Sequence, residues 1–325
     1  MITKLNLANL PTRITRANRL SEELGVNIFI KRDDQTGSEI SGNKIRKLEF
    51  ALKDAIDKGS TLVITTGGIQ SNHCRATTAA ATNLGLKVVL LLRVSEEPKN
   101  EGNFLLDKLF GAEIRFCTPD EYRSSRNEIM KSIAEEKDAM GERCYVIPEG
   151  ASNGIGSMGY FDAMEEIVKQ EDEIGVKFHT IVVAVGSGGT YSGLYLANKY
   201  YNLKKRVLGF AVCDNAEYFV NQIDSINREA LFHLDKAIEL SKKDIEINDK
   251  YTGIGYAIST PEELAFIKHI AVKEAIILDP VYTIKAMIGL YNEIKSDNMK
   301  SSDNILFIHT GGLFGLFPKQ DQFLL

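Results

Sequence analysis

The sequence predicts an α/β protein with two open, twisted and mostly parallel sheets that are flanked by helices. Short runs rich in β-branched residues alternate with segments of helical periodicity along all 325 residues, and glycines mark many of the connections. This alternation is typical of parallel strands with helices on both faces of the sheet. At about 150 residues per domain, the length is sufficient for two domains.

Each strand is predicted from a short apolar run, and each helix from apolar residues at helical spacing. The first of the helices carries Ile45, Leu48 and Leu52 at this spacing, and Gly59 follows as a stop signal. The predicted strands cover residues 27–31, 62–65, 87–92, 112–117, 145–147, 180–185, 206–212 and 304–309. The predicted helices cover residues 45–56, 71–84, 128–138, 191–200, 261–272 and 283–294.

Two glycine-rich stretches are candidate linkers between domains. Residues 149–157 (EGASNGIGS) are the better candidate, and residues 37–42 (GSEISG) are the second. Two linkers predict that one domain is inserted into another. We therefore expect a small α/β domain at 46–154 inserted into a large domain that consists of 1–45 and 155–325.

Composition and charge exclude several classes of protein. With 44% hydrophobic and 26% charged residues and a net charge of −5, the chain resembles an average globular protein and has no basic block for nucleic acid or anionic membrane. No secretory signal is visible, and the longest apolar run, 88–92, is too short to span a bilayer. Four distant cysteines predict neither a metal site nor disulfides, so we expect a cytoplasmic protein.

Two lysines are predicted at the start of a helix, where the helix dipole disfavours positive charge. Lys44 and Lys47 lie one turn apart in the segment 41–49 (SGNKIRKLE). A solvated helix start is the usual explanation for a lysine pair. At this end of the helix, however, a nearby anion would stabilise both charges, and a bound phosphate would supply one.

A second loop, 185–193 (VGSGGTYSG), has three glycines directly after an apolar strand. Such a loop can surround a phosphate with backbone N–H groups. A dinucleotide-binding loop would require glycine in place of Tyr191, although Asp214 could serve as its acidic residue. A nucleoside-triphosphate loop would require a lysine that the segment lacks. A simple phosphate ester is therefore the better fit.

A third loop, 66–73 (TGGIQSNH), can bind an anion of carboxylate size. Ser71 or Asn72 can cap the following helix, whose free N–H groups then face the ligand, and His73 can donate to a carboxylate. Ordinary helix capping explains Ser71 and Asn72 equally well.

Three further candidates complete a recognisable set of chemical groups. Thr310 follows the last strand, and the flat rings of Tyr256 and Tyr282 are suited to stacking on a flat cofactor. A lysine nucleophile, a phosphate loop, an anion site and stacking rings together indicate pyridoxal phosphate. In such enzymes the phosphate anchors the cofactor and the lysine forms a Schiff base with it.

The chain resembles the fold-type II (tryptophan synthase β-like) pyridoxal phosphate enzymes, and specifically the family of D-cysteine desulfhydrase and 1-aminocyclopropane-1-carboxylate deaminase. The resemblance covers nearly the whole chain, and its most specific motif is GNKIRKLE at 42–49. The other matching segments are 11–13 (PTR), 31–34 (KRDD), 70–73 (QSNH), 186–189 (GSGG), 278–282 (LDPVY) and 309–312 (HTGG).

This resemblance implies one group of residues around the cofactor. Lys44 would form the Schiff base, Asn43 would hydrogen-bond the pyridoxal 3-oxygen, and Lys47 would help to neutralise the phosphate. Thr310 would face the pyridine nitrogen, and Tyr282 would stack near the ring. The loop around the phosphate would consist of Gly186, Ser187, Gly188, Gly189 and Thr190.

A second group would contact the substrate. Ser71, Asn72 and His73 would hold its carboxylate, with Ser71 also a candidate for proton transfer, and Tyr256 would line its pocket. The residues implied in catalysis are Lys44, Ser71, Tyr256 and Tyr282.

Two positions favour the desulfhydrase branch. The deaminases typically carry Gln after Ser-Asn and Glu after Pro-Val-Tyr, where this chain has His73 and Thr283. Ile284 replaces a glycine that is usual in both branches, which predicts an altered pocket floor. The resemblance thus implies a lyase of amino-acid metabolism that converts D-cysteine into pyruvate, hydrogen sulfide and ammonia.

Other functions remain open at the level of sequence. Within the family, the alternatives are 1-aminocyclopropane-1-carboxylate deamination and β-elimination from a related amino acid such as cysteate. A nucleotide-binding regulatory protein built on the loop 185–193 is the alternative from a different class. The expected partners are a small amino-acid substrate and, because family members are commonly homodimers, a second copy of the chain.

Overall fold

The structure is a computed structural model that describes residues 2–299 and 303–323. Its strands are β1 (Ile14–Arg16), β2 (Asn27–Lys31), β3 (Leu62–Gly68), β4 (Lys87–Arg93), β5 (Glu113–Cys117), β6 (Cys144–Val146), β7 (Thr180–Val185), β8 (Arg206–Ala211), β9 (Glu246–Asn248) and β10 (Asn304–Ile308). Its helices are α1 (Asn18–Leu24), α2 (Lys44–Asp57), α3 (Asn72–Asn83), α4 (Gly102–Leu109), α5 (Pro119–Ala139), α6 (Gly154–Ile174), α7 (Gly189–Tyr200), α8 (Ala216–Ala230), α9 (Pro261–Glu274) and α10 (Thr283–Lys295).

Two sheets organise these elements, and the predicted fold class is confirmed. The larger sheet has the order β1-β2-β10-β7-β8-β9, and the smaller one has the order β5-β4-β3-β6. All strand pairs are parallel except β1–β2. The smaller sheet uses residues 62–146, whereas the larger sheet combines strands from both ends of the chain. The domain boundaries proposed from the sequence stay a prediction.

Alternation of side chains along the central strands of the larger sheet places helices on both of its faces. In β10, Leu306 and Ile308 belong to one apolar core, which also contains residues of α6, α7 and α8. Ile305 and Phe307 belong to a second core, which contains residues of α1, α9 and α10. Because both faces are buried, the strand is apolar from Ile305 to Ile308 and shows no alternation with polar residues there.

The predicted linker 149–157 runs into a helix, and glycines beyond it serve helix packing. Helix α6 begins at Gly154, so the linker prediction is wrong from that residue onward. A Cβ on Gly159 would overlap the backbone carbonyl of Arg46 in α2, and one on Gly193 of α7 would overlap the carbonyl oxygen of Ser157. These glycines let three helices approach closely around the start of α2.

Several other elements differ from the prediction. Helix α5 begins at Pro119 rather than at residue 128, because Thr118 and Glu121 form a capping box with Pro119 in the first turn. The strands and α-helices that the periodicity did not predict are β1, α1, α4, α6, α8 and β9. No helix in the described ranges has the length and apolar character needed to cross a membrane.

Candidate active site

The loops that follow β3, β7 and β10 meet around one cavity, as expected for the carboxyl ends of parallel strands. All the predicted site residues except Lys47 and Gly189 line it. The predicted residues on its wall are Asn43, Lys44, Ser71, Asn72, His73, Gly186, Ser187, Gly188, Thr190, Tyr256, Tyr282 and Thr310.

Lys44 is the first residue of α2, and the preceding turn fixes its position. The backbone N–H of Asn43 donates to the carbonyl oxygen of Thr310 at 3.0 Å, which ties α2 to the loop after β10. Gly42 makes this approach possible, since its φ is 105° and a Cβ there would lie 2.8 Å from the same oxygen. The Nζ atom of Lys44 then lies 5.8 Å from the centre of the Tyr282 ring.

A buried ion network holds the next turn of α2. The guanidinium of Arg46 contacts Asp33 at 2.8 Å and Glu166 at 2.9 Å. Burial opposes the ionisation of Asp33, but the charge and hydrogen bonds of Arg46 prevail and lower the pKa of Asp33 to about 2. The helix that carries Lys44 is therefore anchored by groups that stay charged.

The amine of Lys44 is poised to lose its proton. Burial lowers the pKa of Lys44 to about 8, although the negative charges of Glu149 and Asp279 oppose this shift. Glu149 lines the same cavity, and the carboxylate of Asp279 accepts from the backbone N–H groups of Val281, Tyr282 and Thr283.

The loop after β7 forms a cradle at the N-terminus of α7. Gly188 has a φ of 87°, which permits the turn, and the first N–H groups of the helix point toward the loop. The hydroxyls of Ser152 and Ser187 share a hydrogen bond of 2.7 Å, and the N–H of Gly189 donates to Ser152 at 3.3 Å. Asn43 reaches this loop through a hydrogen bond of 2.9 Å to Thr190.

Lys47 provides the test of whether this cradle fits a phosphate. Its fully buried ammonium donates to the hydroxyl of Ser152 at 3.2 Å, and within the described ranges no carboxylate lies within 4.0 Å of it. Burial, followed by the charge of Lys44, lowers the pKa of Lys47 well below its usual value. Burial thus disfavours the charge of Lys47, and an anion beside it would restore that charge, so a phosphate in the cradle fits these residues.

The loop after β3 offers backbone donors at the opposite end of the cavity. The hydroxyl of Ser71 caps α3 by accepting from the N–H of Cys74 at 3.1 Å. The N–H groups of Asn72 and His73 begin the helix and have no acceptor inside it. They are placed to bind a carboxylate.

The imidazole of His73 is oriented differently from the sequence prediction. Its Nε2 atom lies 2.8 Å from the hydroxyl of Thr65, and its Nδ1 atom lies 3.5 Å from that of Thr77. Burial, reinforced by the charges of Lys44 and Lys47, holds the pKa of His73 well below its usual value, so the ring is neutral. The carboxylate-binding role that the sequence implied for His73 stays a prediction, and the geometry favours its backbone N–H over its side chain.

Two tyrosines close the side of the cavity. Their hydroxyls hydrogen-bond each other, and the rings of Tyr256 and Tyr282 meet edge to face with centroids 6.0 Å apart. Tyr282 also packs against the phosphate cradle, since a Cβ on Gly186 would lie 2.8 Å from its ring. Burial raises the pKa of Tyr282 well above its usual value, so its hydroxyl keeps its proton.

Sequence reasoning missed Glu149 and Asp279. Asp279 lies within the segment 278–282 that supported the resemblance, and an Asp before Pro-Val-Tyr at a helix start is a recognisable capping signal. Glu149 lies in the stretch interpreted as a linker, and nothing in its local sequence indicated a position in the cavity.

Comparisons with known proteins agree with this geometry. A family of pyridoxal-phosphate dependent enzymes matches residues 5–311. A bifunctional D-cysteine desulfhydrase/1-aminocyclopropane-1-carboxylate deaminase from Arabidopsis thaliana is 44% identical, with 98% of this chain and 80% of the relative covered. A D-cysteine desulfhydrase from Klebsiella pneumoniae is 38% identical, with 97% and 95% covered. The crystal structure of an ACC deaminase homologue superimposes with a TM-score of 0.90 at 41% identity, covering 98% of this chain and 94% of that one.

Proposed function

The chain belongs to the family of pyridoxal-phosphate-dependent enzymes, and from this premise we propose that it is a carbon–sulfur lyase that converts D-cysteine into pyruvate, hydrogen sulfide and ammonia. The observation that carries the proposal is the residue after Tyr282. The fully buried Thr283 stands there, and its hydroxyl donates to Asp279 at 2.7 Å. This position therefore offers no carboxylate, whereas the resemblance gives the deaminases a glutamate at the same place.

The residues proposed to hold the cofactor surround the cradle. Lys44 would bind the aldehyde carbon, Asn43 the 3-oxygen and Lys47 the phosphate, while Tyr282 and Thr310 would face the ring. When bound, pyridoxal phosphate supplies an electron sink for the α-carbon of the substrate. The remaining phosphate contacts come from the loop of Gly186, Ser187, Gly188, Gly189 and Thr190.

The chain's own groups bind the substrate and move its protons. The N–H groups of Asn72 and His73 bind the carboxylate, which fixes the face of the α-carbon that meets the base. Lys44, with a pKa of about 8, can accept the α-proton near neutral pH, and the hydroxyl of Ser71 is the second candidate. Tyr256 lines the side-chain pocket. Thr310 would offer a neutral hydroxyl to the pyridine nitrogen, which would not keep that nitrogen protonated as a carboxylate would.

A second candidate function is deamination of 1-aminocyclopropane-1-carboxylate. It is favoured by relatives that bear this name, including a putative deaminase from Thermotoga maritima that is 43% identical, with 97% of this chain and 98% of the relative covered. Opening the cyclopropane breaks a carbon–carbon bond without a good leaving group, so it needs more chemical help than the loss of a thiolate. A neutral, buried Thr283 does not supply that help.

A side-by-side assay separates the two functions. Purified holoenzyme is given D-cysteine, L-cysteine, cysteate or 1-aminocyclopropane-1-carboxylate, and sulfide, sulfite, pyruvate and 2-oxobutyrate are measured. We expect the highest kcat/KM with D-cysteine, little turnover of L-cysteine and little 2-oxobutyrate. The variant Lys44→Ala is the matched control and should lose sulfide release. A higher kcat/KM for the cyclopropane substrate would contradict the assignment to D-cysteine.

We further propose that the enzyme works as a homodimer in the cytoplasm, and that residues 46–154 form an inserted domain. The even charge distribution and separated cysteines support the location, and the resemblance supports the dimer. Light scattering of the purified holoenzyme measures the mass, which we expect to be twice that of the 36.1 kDa chain. A monomer at working concentration would contradict the dimer.

A further inference from the structure

We propose that Arg93 forms an anion subsite that binds the terminal group of the substrate side chain. For D-cysteine this group is the departing thiolate, and the same chemistry would accept a carboxylate or sulfonate. That Arg93 binds the side chain of the substrate, and not its α-carboxylate, rests on the proposed function, which places the α-carboxylate at the start of α3.

The strand register places Arg93 beside the loop that carries the carboxylate site. Arg93 is the last residue of β4 and pairs with Gly68, the last residue of β3. A tight turn then brings the N–H of Ser71 to 3.0 Å from the carbonyl oxygen of Gly68. The guanidinium lies over this turn, since its Nη2 atom is 3.8 Å from the position that a Cβ on Gly68 would occupy.

Arg93 also faces the space through which a substrate would enter. It lines a cavity of about 630 Å³ that adjoins the cofactor cavity. The two cavities share four wall residues, which are Ser71, Asn72, Tyr256 and Tyr282. A substrate held at the start of α3 can therefore extend its side chain from the first cavity toward Arg93.

The guanidinium has free donors. It lies over the rings of Tyr122 and Tyr256, 5.0 and 5.6 Å from their centroids. Across residues 2–299 and 303–323, it has no hydrogen bond within the protein and no carboxylate within 4.0 Å. Contacts with two rings orient the group without using its N–H donors, which lie in the guanidinium plane.

The other charged residues of this cavity are already engaged or lie at its rim. Lys319 donates to the carbonyl oxygen of Ala257 and the hydroxyl of Ser259, and Asp279 accepts from backbone N–H groups. Glu96, Glu97 and Lys99 are exposed at the rim, and Glu101 is half-buried. Among the described residues that line this cavity, Arg93 is thus the cation that is held in place by its neighbours and has no anionic partner.

An anion site at this place suits the elimination step. The electron pair of the Cβ–S bond leaves on sulfur while the α-proton passes to the base, so negative charge develops at the end of the side chain. The N–H donors of Arg93 can hydrogen-bond that charge, and the planar group can bind a carboxylate or sulfonate through two parallel hydrogen bonds.

Binding of two unreactive amino acids tests the subsite without any elimination. D-Aspartate carries a second acid group and D-alanine does not, and neither has a leaving group at the β-carbon. Their dissociation constants are measured on the holoenzyme from the change in cofactor absorbance. We expect Arg93→Gln to weaken D-aspartate binding by about ten- to a hundredfold, as for a lost charged hydrogen bond, and D-alanine binding by less than about twofold.

Two further variants control for structural damage. Arg126→Gln removes a guanidinium that lies 5.2 Å from the centroid of the same Tyr122 ring but is not part of the cavity wall, and it should leave both affinities unchanged. Arg93→Lys keeps the charge but cannot form two parallel hydrogen bonds, so its D-aspartate affinity should lie between those of the wild type and Arg93→Gln.

The outcomes separate this proposal from the proposed function. Equal losses for both ligands in Arg93→Gln would mean that Arg93 supports the α-carboxylate or the fold, and would overturn the subsite, as would no loss for either. If selective loss of D-aspartate binding is found but the wild-type enzyme releases no sulfide from D-cysteine, the subsite stands and the D-cysteine assignment falls.

Discussion

The depressed pKa of Lys44 predicts an unusual pH dependence for covalent capture of pyridoxal phosphate by the apoprotein. With a pKa of about 8, roughly one amine in eleven is neutral at pH 7. An ordinary lysine of pKa about 10.5 would have roughly one in three thousand, so Lys44 should react about 300 times faster at equal nucleophilicity. Between pH 8 and 10, the neutral fraction of Lys44 rises only about twofold, whereas that of an ordinary lysine rises about 75-fold.

Stopped-flow absorbance of apoprotein mixed with pyridoxal phosphate measures this rate. A parallel reaction with Nα-acetyl-lysine cancels the ionisation of the cofactor itself when the two rates are divided. The variant Glu149→Gln removes a negative charge that favours the ammonium, so its midpoint should move to lower pH. Glu97→Gln, at an exposed position, is the matched control. A rate for the wild type that keeps rising about tenfold per pH unit above pH 9 would refute the reasoning.

Three substitutions test other parts of the structure. Gly188→Val should weaken cofactor binding at least about tenfold, since φ is 87° there, and an unchanged affinity in a titration would place the phosphate elsewhere. Gly159→Ala should lower the free energy of unfolding in urea by about 1–3 kcal/mol, because the new methyl group would overlap the carbonyl of Arg46. Burial raises the pKa of Asp107 to about 8, so the folded state binds more protons than the unfolded state between about pH 4 and 8 and loses stability as pH rises through that window. The Tm of Asp107→Asn minus that of the wild type should therefore increase as pH rises from 5 to 8. A difference in Tm that is constant with pH would contradict this.

The positions of the central strands and of the site loops could be predicted because they depend on local chemistry. The strand at 180–185 is apolar from Ile181 to Val185 and is followed at once by a glycine-rich loop, which marks both the strand and the loop at its end. Lys44 and Ser71 could be identified because each stands at the start of a helix. A serine is a favourable cap there, whereas a lysine is unfavourable and so indicates a nearby anion.

The remaining features depend on contacts between distant residues. The packing role of Gly159 in α6 is not visible in its local sequence, because it depends on the backbone of Arg46, more than 100 residues earlier. The three-residue strands β1 and β9 exist because they pair with β2 and β8, not because of their own composition. The orientation of His73 likewise depends on Thr65, which lies on the preceding strand.

The pairing of β2 with β10 sets the order in which the two sheets can fold during synthesis of the chain. The side chains of Asn27 and Asn304 on these strands hydrogen-bond across 277 residues, while the smaller sheet needs only residues 62–146. The smaller sheet can therefore form while the chain is still being translated, but the larger one must wait until β10 has left the ribosome. Since the carbonyl of Thr310 also positions Asn43 beside Lys44, a prematurely terminated chain cannot assemble a complete cofactor site. Pyridoxal phosphate would thus be held at a finished site only by chains that include β10 and the loop after it.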